Sequence, residues 1–425
     1  MKKKKASLGR RMKEFVKTSV VWGPLDHNLF FTIIFLNVYG IIMVYSASYN
    51  NSITKNYSYF MNNQLKNVIF GFIIMIIASY INYHRIVRFG WGWFWLFLAV
   101  CIIAALKTPL AHSELGATRW IKLGSISFQA AEPIKAAIII FFAYYVSYWG
   151  LNRWYNQVLA CLLAIALLGF LFFFSNNLST VIVLFCICAV IILSSVKKPD
   201  LYWYFLIGLA LVIIAAIFVT VYLLMHQGAE NFRFVRIRAW IHPEEYAADE
   251  GLQAMQARYA IGAGGFWGKG LGQSLIKFKL SYSYNDFILA IICEELGVFG
   301  VIVMMTLFGY LLYRIYKIAQ NAWDIEGKVL AIGVFTQIAL QLLINVMVVT
   351  SVIPTTGVTL PFFSAGGTSV VFLLAELGMV LNVDKYAKER RFFEEAERHV
   401  AQMEQRGGIG AAGWRRRLDS ARTHR

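Results

Sequence analysis

The amino-acid sequence predicts an all-α polytopic membrane protein with ten transmembrane helices. Of its 425 residues, 59% are apolar or aromatic and only 15% are charged, whereas a soluble domain carries about 25% charged residues. The apolar residues fall in long uncharged runs separated by short polar loops. Because a bilayer-spanning helix needs roughly 20 predominantly apolar residues, this distribution excludes a soluble enzyme, a secreted disulfide-rich domain and a disordered chain.

Ten apolar runs supply the predicted helices, and each reaches spanning length alone or with flanking Gly, Ser and Tyr residues. An even number of spans places both chain termini on the same side of the membrane. In chain order the runs are Leu29–Val44, Val68–Ile81, Phe94–Leu106, Ala136–Val146, Ala160–Phe174, Leu178–Leu193, Phe205–Met225, Phe299–Leu312, Val329–Thr350 and Val370–Val383.

The charge distribution predicts the orientation. The chain carries 40 Lys and Arg residues against 23 Asp and Glu, a formal net charge of +17. In a soluble protein this excess would suggest nucleic acid, but in a polytopic protein the cytoplasmic loops collect Lys and Arg. We therefore expect both termini in the cytoplasm and no nucleic-acid partner. The expected organisation is a basic interfacial segment at 1–24, a ten-helix membrane domain at 25–385 and a basic cytoplasmic tail at 386–425.

Three longer segments would share the opposite, extracytoplasmic side. They are Lys107–Gln129, the large loop at about 226–285 between the seventh and eighth spans, and the uncharged Ser351–Ser369. Loops of this length usually carry a function. A site built from all three would face away from the cytoplasm.

Two charged residues open the fourth span. Glu132 and Lys135 are three positions apart and share a helix face, so they form either a structural ion pair or part of a polar cavity. The cavity is favoured because charges inside spans seldom face lipid. Arg119 and Lys122 lie just upstream, and the arginine guanidinium suits pyrophosphate oxygens through its forked geometry.

The large outer loop contains a glycine-rich stretch at 262–272 that includes Lys269. It does not match the phosphate-binding P-loop, because Ala263 and Gly270 stand where that motif requires Gly and Ser or Thr. Two interpretations remain open. The backbone N–H groups and Lys269 could hold a phosphate, or the glycines could permit the tight turns of a re-entrant loop.

Further carboxylates follow in the last spans. Asp286, at the start of the eighth span, is either a helix N-cap or a general base. Glu294 and Glu295 lie two turns deeper, and they either serve the function or fix helix packing through hydrogen bonds. Glu376 lies near the middle of the tenth span and needs a partner or a proton, which the sequence does not assign.

Five stretches, taken together and in order, resemble the SEDS family, the shape, elongation, division and sporulation proteins of the RodA and FtsW type. The resemblance covers about residues 25 to 385, and in the loop before Asp286 the chain lacks the Pro, Glu and Thr that the family often carries. The stretches are Gly-Ala-Thr-Arg-Trp-Ile at 116–121, Phe-Gln-Ala-Ala-Glu-x-x-Lys at 128–135, Gly-Lys-Gly-Leu-Gly at 268–272, Asp-Phe-Ile-x-Ala-Ile-x-x-Glu-Glu-Leu-Gly at 286–297 and Ile-Pro-Thr-Thr-Gly-Val-Thr-Leu-Pro-Phe-Phe-Ser-Ala-Gly-Gly-Thr-Ser at 353–369.

This resemblance implies a peptidoglycan glycosyltransferase that polymerises lipid II, the undecaprenyl-pyrophosphate-linked disaccharide-pentapeptide, on the outer face of the bacterial plasma membrane. It implies a class B penicillin-binding protein as partner. The Pro-Thr-Thr-Gly-Val-Thr-Leu-Pro stretch looks more like the division branch than RodA, so we expect the division septum and other divisome proteins; a sporulation paralogue would look much the same. Two alternatives stay open, a lipid II flippase and a non-catalytic scaffold for the penicillin-binding protein.

The family's essential aspartate falls on Asp286, and its other site residues fall on Arg119, Glu132 and Lys135. In the implied mechanism Asp286 takes the proton from the 4-hydroxyl of an acceptor lipid II. That oxygen attacks the anomeric carbon of the donor, and undecaprenyl pyrophosphate leaves. Arg119, Lys135 and Lys269 are the cationic candidates for stabilising the leaving group, and a divalent cation, Mg²⁺ or Mn²⁺, could share the role. Supporting candidates are Glu294, Glu295 and Ser364.

Overall fold

The computed structural model is a bundle of α-helices that carries a small β-sheet at one end. It describes residues 24–48, 59–114, 117–123, 126–175, 177–196, 232–243, 245, 250–278, 285–364, 367–405 and 415. In chain order its helices are α1 (His27–Ser48), α2 (Tyr59–Tyr80), α3 (Tyr83–Val87), α4 (Trp93–Ala105), α5 (Ala131–Trp149), α6 (Trp154–Ser175), α7 (Leu178–Ser195), α8 (Phe232–Ile241), α9 (Glu250–Gly264), α10 (Ile288–Gln320), α11 (Ile325–Val349) and α12 (Gly367–Gln405).

Most of the predicted spans coincide with these helices. Nine of the ten apolar runs lie on α1, α2, α4, α5, α6, α7, α10, α11 and α12, while the run Phe205–Met225 lies outside the described residues. Within the described ranges, seven helices are long and apolar enough to cross a bilayer. The multi-pass helical architecture is therefore confirmed, whereas the total of ten spans stays a prediction. The interfacial segment at 1–24 falls almost wholly outside the described residues.

Helix α5 occupies the centre of the bundle. It packs against α4, α7, α11 and α12, and its side chains from Glu132 to Val146 are buried with one exception. By contrast, α6 exposes Leu162 and Ile165 by more than half of their surface, as expected of a helix that faces lipid. Because α5 is surrounded by protein, it can carry charged residues that a lipid-facing helix could not.

The outer segment before α5 forms a sheet, which the sequence analysis did not predict. Strands β1 (Ala111–Glu114), β2 (Ala117–Leu123) and β3 (Ile126–Gln129) pair antiparallel with β2 in the centre. Along β2, Ile121 is buried and Lys122 is exposed, which is the period-two alternation of a half-buried strand. Strand β3 ends one residue before Ala130, so the sheet leads directly into the charged first turn of α5.

At the other ends of the helices, a polar cluster ties α3 to the start of α11. His84 Nε2 lies 2.7 Å from Asp324 Oδ2 and Nδ1 lies 2.9 Å from Asn82 Oδ1. That Asn82 oxygen also accepts the His84 backbone N–H at 3.0 Å, which fixes the orientation of the amide. Both ring nitrogens therefore lie within hydrogen-bond distance of a side-chain oxygen.

Asp324 is the centre of this cluster. Its Oδ1 accepts the backbone N–H of Gly327 at 2.8 Å and caps α11, and its Oδ2 accepts the Tyr83 hydroxyl at 2.6 Å. Burial acts to raise the pKa of the carboxyl, but the hydrogen bonds from His84, Gly327 and Tyr83 outweigh burial and hold that pKa below its usual value. The cluster therefore depends on an ionised Asp324.

We expect Asp324→Ala to lower the melting temperature of the detergent-purified protein, because it removes a helix cap worth about 0.5–2 kcal/mol together with the contacts to His84 and Tyr83. Glu394→Ala, which removes an exposed carboxylate 3.5 Å from Arg398, is the matched control and should change little. Since the folded pKa of Asp324 is depressed, its contribution is present above the usual value of 3.8 and is lost as the pH falls through the folded pKa. A melting-temperature difference that stayed constant through this acid range would contradict the assignment.

Candidate functional site

Asp286 lies in a turn of residues 285–287, immediately before α10. Phe287 occupies the N-cap position of that helix, so Asp286 stands one residue outside it and the N-cap interpretation is not supported. The side chain of Asp286 is half-buried. Its backbone carbonyl accepts a hydrogen bond of 2.8 Å from Nδ2 of Asn345, which is on α11. The backbone of Asp286 is thus held by the neighbouring helix.

Glu132 and Lys135 form an ion pair in the first turn of α5. Lys135 Nζ lies 2.8 Å from Glu132 Oε1, and the two residues are only 3% and 4% exposed. They also line a small cavity together with Gln341 of α11, polar residues of α7 and residues 357–359 of the outer segment. Both interpretations from the sequence therefore apply at once, because a buried pair with polar walls around it is also the lining of a cavity.

A second small cavity adjoins the first and shares Glu132 and Gln341 with it. Ser364, which the sequence marks as a supporting candidate, lines this cavity. Its hydroxyl is buried and has no hydrogen-bond partner among the described residues, and the same holds for the hydroxyl of Thr356 in the outer segment. Buried hydroxyls are normally paired, so these two are available to a ligand or to water.

Glu376 finds its partner on the neighbouring helix. Gln337 of α11 donates a 2.7 Å hydrogen bond from Nε2 to Glu376 Oε2. The second oxygen of Glu376 and the amide oxygen of Gln337 have no hydrogen-bond partner within the described ranges. The pair therefore leaves two buried acceptors in the interior of the bundle, where a proton or a water molecule would be needed to satisfy them.

The glycine-rich stretch packs into a break in α10. At Gly297 the backbone has φ 65° and ψ −164°, a combination that side chains other than glycine hardly allow. The N–H groups of Val298 and Phe299 donate to the carbonyls of Gly265 and Phe266, and the N–H groups of Lys269 and Gly270 donate to the carbonyls at 294 and 295. Four hydrogen bonds from the loop thus replace those that the broken helix cannot make.

Close approach explains the glycines. A Cβ atom at Gly268 would lie 2.2 Å from the carbonyl oxygen of Glu295, and one at Gly264 would lie 1.8 Å from the carbonyl oxygen of Cys293. Gly297 is nine residues into α10, about 14 Å along the helix axis at 1.5 Å per residue. The loop therefore runs back alongside the helix well below its start, as the re-entrant interpretation predicts.

Glu294 and Glu295 hold this loop in place. Glu294 is fully buried and accepts hydrogen bonds from Lys269 Nζ at 2.7 Å, from the Ser274 hydroxyl and from two backbone N–H groups of the loop. Glu295 accepts from the Ser46 hydroxyl at 2.5 Å and lies 3.7 Å from Lys277 Nζ. This geometry favours a packing role for both carboxylates. The Lys269 side chain, which Glu294 holds, is about one third exposed.

The structure therefore separates the predicted residues into two groups. Asn345 donates to the carbonyls of Asp286 and Val358, and Val358 also lines the cavity of Glu132 and Lys135, so the Asp286 turn lies next to the wall of that cavity. Lys269 belongs instead to the loop cluster with Glu294 and Glu295. Arg119 lies on β2, but its side chain is outside the described part of the chain.

Sequence reasoning missed the polar face of α11. Gln337, Gln341 and Asn345 are spaced four residues apart inside an apolar run, which places them on one side of the helix. They contact Glu376, the Glu132 cavity and the Asp286 turn, respectively. The spacing was a readable signal, but it indicates only that this face is buried in protein and does not identify the contacts.

Comparison with known proteins identifies a family and several relatives that this chain resembles. Residues 26–389 match the family of cell cycle proteins that comprises FtsW, RodA and SpoVE. The chain is 32% identical over 384 residues to a probable peptidoglycan glycosyltransferase FtsW of Trichlorobacter lovleyi, with 88% of this chain and 96% of the relative covered. It is 33% identical over 370 residues to the stage V sporulation protein E of Bacillus subtilis, with 84% and 96% covered.

Two solved structures share the fold. One is a chain of a peptidoglycan synthase complex that coordinates polymerization and crosslinking, with a TM-score of 0.72, 22% identity, and 86% of this chain and 99% of that chain covered. The other is the rod shape determining protein RodA of Thermus thermophilus, with a TM-score of 0.61, 21% identity, and 86% and 98% covered.

We expect Gly297→Ala to destabilise the protein strongly, because the new Cβ would lie 2.4 Å from two backbone atoms of the loop and the backbone conformation itself costs a non-glycine residue about 1–3 kcal/mol. Gly309→Ala is the matched control, since it lies on the same helix and its Cβ would meet nothing within 4 Å. Thermal unfolding in detergent measures both. Equal melting temperatures for the two variants would contradict the packing described for the loop.

Proposed function

The chain belongs to the cell cycle protein family of FtsW, RodA and SpoVE, and on this basis we propose that it is a peptidoglycan glycosyltransferase that polymerises lipid II at the outer face of the membrane. The resemblance to the SEDS family that the sequence motifs indicate is thereby confirmed. The chain is a multi-pass membrane protein, and relatives about 30% identical over most of its length carry the name of this enzyme. The observation that carries the proposal is the position of Asp286, a half-buried aspartate whose turn is joined through Asn345 to the wall of the cavity that Glu132 and Lys135 line.

In the proposed reaction Asp286 acts as general base. The 4-hydroxyl of the acceptor lipid II loses its proton to the carboxylate as its oxygen forms a bond to the anomeric carbon of the donor. The bond from that carbon to the pyrophosphate oxygen breaks, and undecaprenyl pyrophosphate leaves with the electron pair. Attack from the opposite face converts an α link to a β link, so no covalent enzyme intermediate is required. General-base assistance of this kind contributes about 10²–10⁴-fold to the rate.

The cavity beside Asp286 is the proposed place for the leaving group. Lys135 is held inside it by Glu132 at 2.8 Å, which keeps an ammonium in a site that would otherwise exclude one. An entering pyrophosphate can compete with Glu132 for that ammonium, and the Ser364 hydroxyl is available as a further donor. Arg119 remains a candidate from the resemblance. Lys269 is the weaker candidate, because it is held by Glu294 in the glycine-rich loop, whereas Lys135 lines the cavity itself.

A divalent cation fits this site only in part. The described residues contain no group of three or more His, Cys, Asp or Glu side chains that could hold a metal. Mg²⁺, however, is commonly bound by one or two carboxylates together with substrate phosphates. Asp286 could hold Mg²⁺ or Mn²⁺ in that way, and the ion would supply positive charge to the pyrophosphate.

The proposed partner is a class B penicillin-binding protein. This is supported by the fold shared with a chain of a peptidoglycan synthase complex that coordinates polymerization and crosslinking. Several of the relatives are FtsW proteins, which supports a place at the division septum with other divisome proteins. We also propose that the basic segments at 1–24 and 386–425 lie in the cytoplasm, as the distribution of Lys and Arg residues predicts.

A lipid II flippase is the second candidate. The buried Glu376–Gln337 pair favours it, since unsatisfied polar atoms in the interior of a bundle suit a path for a polar headgroup. A scaffold without catalysis is the third. The three candidates differ in which residue the polymerisation of lipid II requires.

We expect Asp286→Asn to abolish the ladder of polymer that wild-type protein forms from labelled lipid II, because an amide cannot accept the proton. Each protein is assayed alone and with a co-purified class B penicillin-binding protein whose transpeptidase serine has been removed. Asp384→Asn is the matched control, since that aspartate pairs with Lys388 near the far end of the bundle. A normal ladder from Asp286→Asn would remove Asp286 from the mechanism. No ladder from folded wild type with its partner would favour the flippase, and translocation in liposomes would then test it.

The ion pair allows a test that separates stability from activity. Lys135→Met should destabilise the protein by about 3–5 kcal/mol, because it leaves Glu132 as an unpaired buried charge. The double variant Glu132→Gln with Lys135→Met should recover the melting temperature but not the polymerisation of lipid II, since the ammonium is still missing. Recovery of both would show that the pair is structural only.

A further inference from the structure

We propose that Asn345 is a positioning residue that fixes the general base relative to the leaving-group cavity; this rests on the function proposed above. Asn345 lies on α11 and its side chain is fully buried. Its amide nitrogen donates two hydrogen bonds, one of 2.8 Å to the carbonyl of Asp286 and one of 3.0 Å to the carbonyl of Val358. Both amide protons are therefore used, and each holds a different segment of the chain.

The two carbonyls belong to irregular backbone. Asp286 precedes the N-cap of α10, and Val358 lies in the stretch at 354–360, which has no regular secondary structure. Neither segment can satisfy its own carbonyls through a helix ladder. Buried carbonyls that lack a partner are costly, and near a bilayer water is less able to replace one. Asn345 therefore supplies both segments with the hydrogen-bond donor that a helix would provide from its own backbone N–H groups.

The contact at Val358 reaches the cavity. Gly357, Val358 and Thr359 line the same space as Glu132 and Lys135. The neighbouring Thr356 carbonyl accepts a 2.9 Å hydrogen bond from the Ser179 hydroxyl of α7, which holds the other side of the stretch. One side chain thus joins the residue that removes the proton to the wall of the space that receives the leaving group.

The amide oxygen of Asn345 has no hydrogen-bond partner among the described residues. The side chain therefore acts as a double donor, and a leucine of similar volume could fill its space. What a leucine cannot do is hold the two carbonyls at a common point. A displacement of about 1 Å at a reacting group can cost 10²-fold in rate. Loss of Asn345 should accordingly lower kcat and leave the affinity for lipid II unchanged.

The test compares Asn345→Leu, Asn345→Ser and wild type, each co-purified with the penicillin-binding protein described above. Thr336→Val is the control, because Thr336 is a buried polar residue of the same helix whose hydroxyl donates only to its own Ile332 carbonyl at 2.8 Å. The readouts are kcat per mole of folded protein, KM and the melting temperature. We expect Asn345→Leu to lose about 10–100-fold in kcat per mole of folded protein, with KM within about threefold of wild type. Its melting temperature should fall below that of the control, because two buried carbonyls lose their donor.

Asn345→Ser retains one hydroxyl donor and should lose less activity than the leucine variant; it decides the question if the leucine variant does not fold. A kcat per mole of folded protein equal to that of Thr336→Val would overturn the proposal, and so would parallel losses of kcat and lipid II affinity. Asp286→Asn is assayed beside them. If that variant polymerises normally, the proposed role of Asp286 fails; if it is inactive while Asn345→Leu is normal, only the positioning role fails.

Discussion

Polar groups inside a membrane protein must find their partners within the protein, and this constraint shapes the end of the molecule where the candidate site lies. Three stretches of backbone leave regular structure at the end where the candidate site lies. In each stretch, a polar side chain or a broken helix supplies the hydrogen bonds that water would supply elsewhere. Asn345 serves the Asp286 turn and the stretch around Val358, while Glu294 and the break at Gly297 serve the glycine-rich loop.

The same constraint explains the position of the charged residues. Glu132 and Lys135 lie on the helix that is most completely surrounded by protein, and they are satisfied by each other. Glu376 faces Gln337 of α11 rather than lipid. Each of these charged residues thus lies beside polar side chains of a neighbouring helix. The two cavities are lined by such side chains together with residues from the stretch 357–364.

The sequence predicts those parts of the structure that depend on local pattern. Long apolar runs give the helices, the three-residue spacing gives the Glu132–Lys135 pair, and glycine at 268 and 297 allows a close backbone approach. Contacts between distant positions are different. Asn345 is 59 residues from Asp286, and Gln337 is 39 residues from Glu376, so no local period relates them. The sheet before α5 was missed because its strands are short and lie in a segment that the search for apolar runs passes over.

The broken helix has a consequence for how the chain is assembled. The hydrogen bonds that hold the loop in α10 join residues 265–270 to residues 294–299, roughly thirty positions apart. Closing so short a segment costs little chain entropy compared with distant contacts. The loop and the first turns of α10 can therefore form together as a hairpin-like unit soon after they leave the ribosome, before α11 and α12 exist. Helix α11, which lines the cavity, must then pack against a loop and helix that are already folded.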